Sequence, residues 1–353
     1  MKKILITIFA ISAILTGCSS ESTLATEEVP ASEEAIIEDN LDQPLEVLSL
    51  DDMANLKIDE SGEVMVLMYH NIGEEEATWT RTPENFRRDL ETLYNSGFRA
   101  ISLEDYANGN ISTEAGFTPV VFTFDDGNEN NFRYIKHGEE NIIDPKCAVG
   151  IMEDFKKEYP DFNMTATFFL NGLAFGDSST EKEKLTFLIE NNYSIGNHTM
   201  GHPNLRDLSS ENIQKEIATL KERYENMLPN LDINTLALPF GGKPSADDYT
   251  LTYKGEYDGV IYENVAVLLV GWDPYFSPYH KEFDFSNIRR VRASEMNVDG
   301  VGLYDWLYSY EKGSKRRYIS DGNPDTIVVP DSRMDLINQS RFTDKEIFSY
   351  EKN

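Results

Sequence analysis

Cysteine, histidine and basic residues are all scarce in this 353-residue chain, and each shortage excludes a class of protein. With two cysteines and five histidines, cysteine-rich zinc modules and iron–sulfur clusters are excluded. The 32 basic residues are outnumbered by 62 acidic ones, and a net charge of −30 repels a phosphate backbone, so we expect no nucleic-acid partner. Hydrophobic residues still make up 40% of the chain, which is enough to fill a core and excludes a wholly disordered protein.

The N-terminus has the pattern of a targeting segment. Two lysines precede a mostly apolar stretch, residues 4–16, which is too short to span a bilayer comfortably and is typical of a signal-peptide core. The stretch leads to Cys18, and this ending resembles the bacterial lipoprotein signal, in which the cysteine is lipidated and becomes the first residue. The resemblance implies a signal peptide over residues 1–17 and an anchor through Cys18 on the outer face of the bacterial cell membrane. The alternative is an ordinary secretory signal.

An acidic, polar stretch follows, and we expect residues 18–62 to form a flexible tether. Lys57 is its one basic residue. Such a composition cannot bury enough apolar surface to fold, and its like charges keep it extended. A partner-binding acidic tail is the alternative. If Cys18 carries lipid, Cys147 is the one thiol left, and we expect it to be a small buried hydrophobic side chain.

Strands alternate with helices over residues 63–312, which we predict to be one catalytic domain. Buried strands are expected at 64–69, Pro119–Phe124, Met164–Leu170, Tyr193–Asn197, Thr235–Pro239 and Val265–Val270. Helical patterns are expected after Thr82-Pro83 and at Lys146–Lys157, Glu181–Asn191 and Ser210–Met227. This alternation predicts an α/β fold of parallel units, either a barrel or a doubly wound sheet, with chemistry at the carboxyl ends of the strands. Residues 313–353 are a C-terminal extension without an assignment.

Two adjacent carboxylates, Asp125 and Asp126, follow the predicted strand Pro119–Phe124. In a continuing strand they would point to opposite faces of the sheet. Gly127 allows the chain to turn, so that both carboxylates can converge on one site. The alternative is a polar surface turn, since Asp-Gly is a common turn pair.

Two histidines four residues apart, His198 and His202, follow the predicted strand Tyr193–Asn197. Imidazole is the commonest side-chain ligand of divalent transition metals, although two surface histidines on a loop are the alternative. Two histidines and one carboxylate make a three-ligand site that leaves room for water and substrate, as catalytic zinc sites do. Bound metal lowers the pKa of water to roughly 7, and the second carboxylate is then available as a base.

Three motifs, TFDDG at 123–127, HTMGH at 198–202 and Leu-Pro-Phe-Gly at 238–241, resemble those of the NodB-homology polysaccharide deacetylases, also called family-four carbohydrate esterases. The resemblance covers about residues 64–310. It implies a distorted (β/α)7 barrel that removes acetyl groups from N-acetylglucosamine polymers or acetylated xylan. It also implies residue roles, with Asp125 as general base, Asp126, His198 and His202 as ligands of a divalent metal, usually Zn²⁺, and Pro239 and Phe240 as lining of the sugar groove.

Trp272 is a further candidate for substrate binding, because it follows the predicted strand Val265–Val270 and can stack on a sugar ring. Core packing is the alternative.

The chain departs from the family pattern in two respects. Many members carry an arginine ahead of the proline motif, where this chain has Thr-Leu-Ala-Leu at 235–238, and many carry an acid histidine in a Leu-x-x-His pattern that His280 does not fit.

His70 is the candidate for the missing general acid, because it directly follows the predicted strand 64–69. Its surroundings resemble the poly-N-acetylglucosamine deacetylase branch involved in biofilm polysaccharide, in which the domain is circularly permuted and the acid follows the first strand. A structural histidine is the alternative.

The expected function is metal-dependent removal of acetyl groups from a cell-surface or extracellular polysaccharide that contains N-acetylglucosamine, either poly-N-acetylglucosamine or peptidoglycan. Three alternatives stay open: a carbohydrate-binding surface lipoprotein that has lost turnover, an acetylxylan esterase, and a structural envelope protein. The intact carboxylate and histidine pairs disfavour the first alternative, since binding alone needs no base.

Overall fold

The computed structural model describes residues 47–351. The predicted signal peptide, Cys18 and most of the predicted tether lie outside these residues. Across the described range, no helix combines the length and the apolar character that crossing a membrane requires.

The helices and strands are numbered here in chain order. The α-helices are α1 Leu50–Leu56, α2 Pro83–Asn95, α3 Leu103–Asn108, α4 Ala148–Glu158, α5 Glu181–Glu190, α6 Ser210–Met227 and α7 Leu303–Glu311. The strands are β1 Glu63–Tyr69, β2 Asn71–Ile72, β3 Thr80–Arg81, β4 Phe98–Ala100, β5 Thr118–Phe124, β6 Tyr134–His137, β7 Glu140–Ile143, β8 Thr167–Leu170, β9 Ser194–Asn197, β10 Thr235–Ala237, β11 Lys254–Tyr257, β12 Val260–Glu263, β13 Ala266–Leu268, β14 Tyr275–Phe276, β15 Val291–Arg292, β16 Thr326–Pro330 and β17 Glu346–Tyr350.

One curled sheet of nine strands forms the centre of the fold. Its order is β13-β10-β9-β8-β5-β1-β14, with β15 also paired to β1 and β4 to β5. Every pairing in it is parallel except that of β1 with β14. Helices α4, α5 and α6 each connect two neighbouring strands, as parallel pairing requires. The α/β fold expected from the sequence is confirmed, and the distorted barrel takes the form of a curled half-barrel of mostly parallel strands.

Helix α2 illustrates how local sequence determines these elements. The Oγ1 of Thr82 accepts a hydrogen bond from the N–H of Asn85 at 3.2 Å, and Pro83 occupies the first turn, where its missing N–H costs nothing. The chain leaves the helix at Gly97, whose φ of +77° suits glycine. The buried face of the helix consists of Phe86, Leu90 and Leu93.

A stack of aromatic rings lies beneath the carboxyl ends of the central strands. The ring of Phe124 stacks on Tyr69 at 5.2 Å and on Phe168 at 5.1 Å between centroids. These residues end or lie within β1, β5 and β8, so their rings fix the three strand ends relative to one another. Cys147 is fully buried at the start of α4, which agrees with its prediction as a small core side chain.

The folded domain begins ahead of residue 63, the boundary predicted from the sequence. Helix α1 lies within the predicted tether, and the side chains of Met53 and Ile58 are buried against Val328 and Tyr350. Composition suggested a tether because the stretch is acidic. The segment is nevertheless attached, because another part of the chain supplies a complementary apolar surface for Met53 and Ile58.

That surface belongs to residues 313–351, in the C-terminal extension that the sequence patterns do not assign. Strands β16 and β17 form a parallel pair in this segment, and the N–H of Glu60 donates to the carbonyl of Val328 at 3.0 Å. The described ends of the chain therefore pack on each other. The stretch between Asn128 and Lys146 forms an antiparallel hairpin, β6–β7.

Candidate metal-dependent active site

Strand register brings the first two predicted catalytic residues together. Strands β1 and β5 are parallel, and Tyr69 pairs with Phe124, the last residue of each strand. His70 and Asp125 are therefore the next residues on adjacent strands and emerge at the same edge of the sheet. The Nε2 of His70 lies 3.9 Å from Oδ2 of Asp125.

A sharp turn after β5 separates the two carboxylates. Asp126 has a φ of +73° and Gly127 a φ of +62°, so two consecutive residues adopt the left-handed conformation. This conformation is uncommon for residues other than glycine, and it concentrates at functional sites. The Asp125 side chain points into the protein, where it is 2% exposed, while that of Asp126 is 27% exposed. The predicted turn is therefore present.

The three predicted metal ligands form one cluster. Oδ1 of Asp126 lies 3.4 Å from Nε2 of His198 and 3.2 Å from Nε2 of His202, and the two Nε2 atoms are 3.2 Å apart. Ligands of a tetrahedral zinc ion, at bonds of about 2.0–2.1 Å, lie roughly 3.3 Å from one another. The spacing of these three atoms fits such an ion, and they are a possible metal site within residues 47–351.

A backbone carbonyl sets the protonation of the first histidine. Nδ1 of His198 lies 2.8 Å from the carbonyl oxygen of Ala237, the last residue of β10. A carbonyl only accepts, so Nδ1 carries the proton and Nε2 is left with a free lone pair. Such a partner behind the ring is the usual support for a metal-binding histidine.

The charge of Asp126 also suits a cation. Burial raises the pKa of its carboxyl, but the nearby imidazoles of His198 and His202 outweigh this and hold the pKa well below its ordinary value. The carboxylate of Asp126 is therefore ionised and can serve as an anionic ligand. The donor set of two imidazoles and one carboxylate is one that zinc accepts in catalytic sites.

A buried arginine that the sequence did not predict holds the second carboxylate. Arg290 is fully buried, and its two terminal nitrogens each donate to an oxygen of Asp125 at 2.7 Å. Its Nε donates to the carbonyl of Leu269 at 3.0 Å. Burial raises the pKa of Asp125, but the guanidinium outweighs burial and keeps the pKa below its usual range.

Arg290 supplies a positive charge to Asp125, although this chain has Thr-Leu-Ala-Leu at 235–238, ahead of its proline motif. It lies 165 residues from Asp125 in the chain, immediately before the two-residue strand β15. No local pattern marks so short a strand, and consequently the sequence offered little signal for it.

The candidate catalytic residues and the candidate metal ligands line one cavity of about 420 Å³ at the carboxyl edge of the sheet. Its lining includes His70, Asp125, Asp126, His198, His202, Leu238 and Phe240. Phe240, expected in the sugar groove, is 68% exposed, and its ring lies 4.7 Å from that of His202. Pro239, expected beside it, is buried, and the neighbouring Leu238 lines the cavity instead.

Trp79 is a second residue that sequence reasoning missed. It lies in the loop between β2 and β3, lines the active-site cavity, and places its ring 4.7 Å from that of His70. Burial lowers the pKa of His70, while the carboxylates of Asp125 and Asp126 act in the opposite direction.

The remaining candidates lie outside this cavity. Trp272 is 65% exposed and lines a neighbouring cavity rather than packing in the core. His280 is buried and stacks on Phe276 at 4.7 Å, which agrees with its rejection as the acid histidine.

Comparison with known proteins also relates this chain to the polysaccharide deacetylases. Residues 151–257 match the family model for polysaccharide deacetylase. This segment of the chain is similar to polysaccharide deacetylases. The match begins in α4 and includes His198 and His202.

Similar proteins extend this match over more of the chain. The Bacillus subtilis (strain 168) protein named "Putative polysaccharide deacetylase YxkH" is 23% identical over 235 residues, which cover 64% of this chain and 75% of that protein. The structure of BC0361, a polysaccharide deacetylase from Bacillus cereus, has a TM-score of 0.52 at 18% identity and covers 70% of this chain and 69% of its own. The structure of the putative polysaccharide deacetylase BA0330 from Bacillus anthracis has a TM-score of 0.51 at 19% identity, and it covers 68% of this chain and 67% of its own. The half-barrel therefore has the same fold as these deacetylases of known structure.

Proposed function

We propose that this protein removes acetyl groups from a polysaccharide that contains N-acetylglucosamine, in a reaction that depends on a divalent metal. The observation that carries the proposal is the single cavity lined by a three-ligand set, an ionised carboxylate and a histidine. A binding protein without turnover has no need of the carboxylate of Asp125, whose burial needs a dedicated arginine.

The metal site is proposed to hold Zn²⁺ through Asp126, His198 and His202. When bound there, the ion supplies Lewis acidity toward the acetyl carbonyl and a lowered pKa for water. The protein's part is to orient the ring of His198 and to keep the carboxylate of Asp126 ionised, which the hydrogen bond from His198 to Ala237 and the lowered pKa of Asp126 support.

The residues of the chain account for each proton transfer. Asp125, held ionised by Arg290, accepts a proton from the attacking water as the new C–O bond forms. In this proposal a backbone N–H in the turn at 126–128 donates to the resulting oxyanion. His70 in its protonated form donates to the nitrogen as the C–N bond breaks, so that the products are acetate and a free amine.

Two polymers fit the proposal, poly-N-acetylglucosamine and peptidoglycan. The position of His70 at the end of β1 supports the poly-N-acetylglucosamine branch, in which the acid follows the first strand. The proposed place of action is the outer face of the bacterial cell membrane, with the protein anchored through lipidated Cys18. A zinc requirement and a role in biofilm polysaccharide belong to the same proposal.

Release of acetate tests the proposal directly. The purified protein is incubated with poly-N-acetylglucosamine, peptidoglycan and acetylxylan, each with and without a chelator. We expect acetate from an N-acetylated polymer, loss of release with chelator and recovery on adding Zn²⁺. Release from acetylxylan alone would identify an esterase, and binding of the polymers without any acetate would identify a protein that has lost turnover.

A further inference from the structure

A basic run follows α7 in this otherwise acidic chain. Lys312, Lys315, Arg316 and Arg317 fall within six positions, although acidic residues outnumber basic ones 62 to 32 over the whole sequence. None of the four lines the active-site cavity. A local concentration of positive charge attracts negatively charged ligands, so the surroundings of this basic run, residues 312–317, are a candidate for binding one.

A cavity of about 510 Å³ lies beside the basic run, between α2, α7 and the start of β4. Arg317 forms part of its wall, together with the aromatic rings of Phe98, Tyr304, Tyr308 and Tyr310. The volume is within the range of pockets that hold small ligands.

This cavity is remote from the proposed metal ligands. Phe98 is the first residue of β4 and pairs with Thr118, the first residue of β5, whereas Asp125 follows the last residue of β5. At about 3.3 Å per residue, the two ends of β5 are about 20 Å apart. The two cavities have no lining residue in common, so the second is a separate site.

The guanidinium of Arg317 is fixed in place but has no anionic partner. Its Nε donates to Oγ1 of Thr118, its Nη2 donates to the carbonyl of Gly97 at 2.9 Å, and it lies 4.3 Å from the centroid of the Phe98 ring. Within residues 47–351 no carboxylate forms a salt bridge with it, and its Nη1 makes no hydrogen bond. Burial lowers its pKa to about 10, so it stays charged at neutral pH. A partly buried cation in this state is stabilised by an incoming anion.

Tyr310 brings a second donor to the same wall. Its side chain is 8% exposed, and its hydroxyl has no hydrogen-bond partner among the described residues. Burial raises its pKa well above the ordinary value, although the charge of Arg317 acts in the opposite direction. The hydroxyl is therefore protonated, and a ligand that supplies an acceptor would remove the cost of burying it without a partner.

The carboxylates near the cavity leave Arg317 available. In the described wall the only carboxylate is that of Glu311, which is exposed and lies 3.5 Å from Nζ of Lys312. Glu63, outside the wall, lies 3.7 Å from Nζ of Lys315. The other members of the basic run thus offset these two charges, while the charge of Arg317 is not offset.

We propose that this cavity binds an acidic sugar, meaning a pyranose that carries a carboxylate, as one unit of a polysaccharide. The carboxylate accepts hydrogen bonds from Nη1 of Arg317 and from the hydroxyl of Tyr310. The apolar face of the pyranose packs on the ring of Tyr308, which is 60% exposed. A concave wall of rings and fixed donors fits such a discrete unit better than it fits the flat surface of an anionic bilayer. The site goes beyond the proposed function and does not depend on it.

The test compares two disaccharides of similar size by isothermal titration calorimetry. One is N-acetylglucosamine linked to N-acetylmuramic acid, which carries a carboxylate, and the other is the neutral disaccharide of N-acetylglucosamine. Both are titrated into protein that carries Asp126→Ala, which disrupts the proposed metal site and prevents turnover. We expect the acidic disaccharide to bind roughly tenfold more tightly, as charge-assisted hydrogen bonds to one carboxylate would give.

Two arginine variants in this background locate the preference. Arg317→Met should abolish the roughly tenfold difference, because it removes the unpaired guanidinium. Arg316→Met is the matched control, since it removes the same charge from the same basic run but lines no part of the cavity. It should keep the preference, which separates a defined site from a general attraction by positive charge.

Tyr310→Phe keeps the test decisive if Arg317→Met folds poorly. It should weaken binding of the acidic disaccharide several-fold. It should not lower the melting temperature, because the hydroxyl that it removes has no partner among the described residues.

The remaining outcomes would overturn the site. Equal affinity for the two disaccharides, no binding of either, or equal losses in Arg317→Met and Arg316→Met would each contradict it. Binding to vesicles of phosphatidylglycerol but to neither disaccharide would assign the basic run to a membrane surface instead. Since Asp126→Ala is present in every protein compared, none of these results depends on whether the protein is a deacetylase.

Discussion

Individual side chains in this site owe their properties to partners that are distant in the chain. His198 has its tautomer set by the carbonyl of Ala237, and Asp125 has its charge stabilised by Arg290. The residue types alone therefore suggest roles, but the partners determine which proton each group carries.

The metal-ligand assignment predicts a joint loss of metal and activity. In Asp126→Ala or His198→Ala, one donor of three is missing, so we expect the bound zinc to fall well below one per protein, together with acetate release. Elemental analysis of the purified variants measures this. His137→Ala, which removes an exposed histidine in β6, is the control and should keep its metal. Full metal content in both site variants would contradict the assignment.

The pairing of Arg290 with Asp125 predicts non-additive effects on stability. Arg290→Met leaves a buried carboxylate without its partner, at a cost of about 3–5 kcal/mol in the free energy of unfolding. In an Asp125→Asn background, Arg290→Met leaves no buried charge behind, so it should lower the free energy of unfolding by less. Urea unfolding of the four proteins measures the difference.

The neighbouring Arg289 provides the control for this cycle, because it is 40% exposed and bridges Asp273 at the surface. Arg289→Met should change stability by about 1 kcal/mol or less. Equal costs of Arg290→Met in both backgrounds would show that the pair does not interact.

The role of His70 as an acid predicts a difference between leaving groups. An amine needs a proton to depart, whereas an aryl oxide needs little help. His70→Ala should therefore lose roughly 10²–10⁴ in rate on an N-acetylated oligosaccharide and less on an aryl acetate. The same loss on both substrates would indicate a structural histidine.

At the level of secondary-structure elements, the segment just before β1 depends on a buried acid. Glu60 is 1% exposed, and its oxygens accept hydrogen bonds from the Tyr318 hydroxyl at 2.7 Å and the Val328 N–H at 2.9 Å. Burial, and then the nearby carboxylate of Asp321, raise the pKa of Glu60 well above its usual value. The folded state therefore binds this proton more tightly than the unfolded state does.

This raised pKa predicts a specific pH dependence of stability. The contribution of the Glu60 proton is fully present below the unfolded-state pKa, about 4.3. It is lost as the pH rises through the higher folded-state value. The glutamine of Glu60→Gln cannot ionise. The melting temperature of this variant minus that of the wild type should therefore be several degrees larger at pH 8 than at pH 5. Glu346→Gln, at an exposed position in β17, should show no such trend. A difference that stays constant with pH would refute the prediction.

At the level of the whole molecule, the two ends of the described chain pack on each other. Helix α1 and the residues after it pack on β16 and β17, and the Tyr350 hydroxyl donates to the carbonyl of Ile58 at 2.8 Å. The barrel is thereby covered by a layer built from both ends of the described chain.

This layer predicts that residues of the expected tether contribute to global stability. Ile58→Ala deletes a fully buried side chain and should lower the free energy of unfolding by about 2–5 kcal/mol. Leu50→Ala, in α1 but 59% exposed, is the matched control and should change it by about 0.5 kcal/mol or less. Equal, small effects in urea unfolding would restore the interpretation of this segment as a tether.

Much of the fold could be predicted from the sequence, because strand and helix patterns are local. The predicted helix Ser210–Met227 has the bounds found in the structure, and the strand Pro119–Phe124 differs from β5 by one residue. The predicted strand Thr235–Pro239 ends earlier, at Ala237, since a proline cannot donate to a ladder hydrogen bond. The clustering of Asp126, His198 and His202 was predictable for a similar reason, because each motif directly follows a strand and parallel strands end at one edge.

Only the tertiary structure could supply the partners of these residues. Arg290 binds Asp125, which lies 165 positions away in the chain, and Trp79 contacts His70 from the loop between β2 and β3. The apolar side chains of the acidic N-terminal stretch pack on β16 and β17. Hydrophobic periodicity and turn chemistry depend on a few neighbouring residues, so the sequence by itself determines the helices, strands and turns that they produce. Ion pairing and burial depend on which distant surfaces the completed fold brings into contact, and no local pattern encodes that.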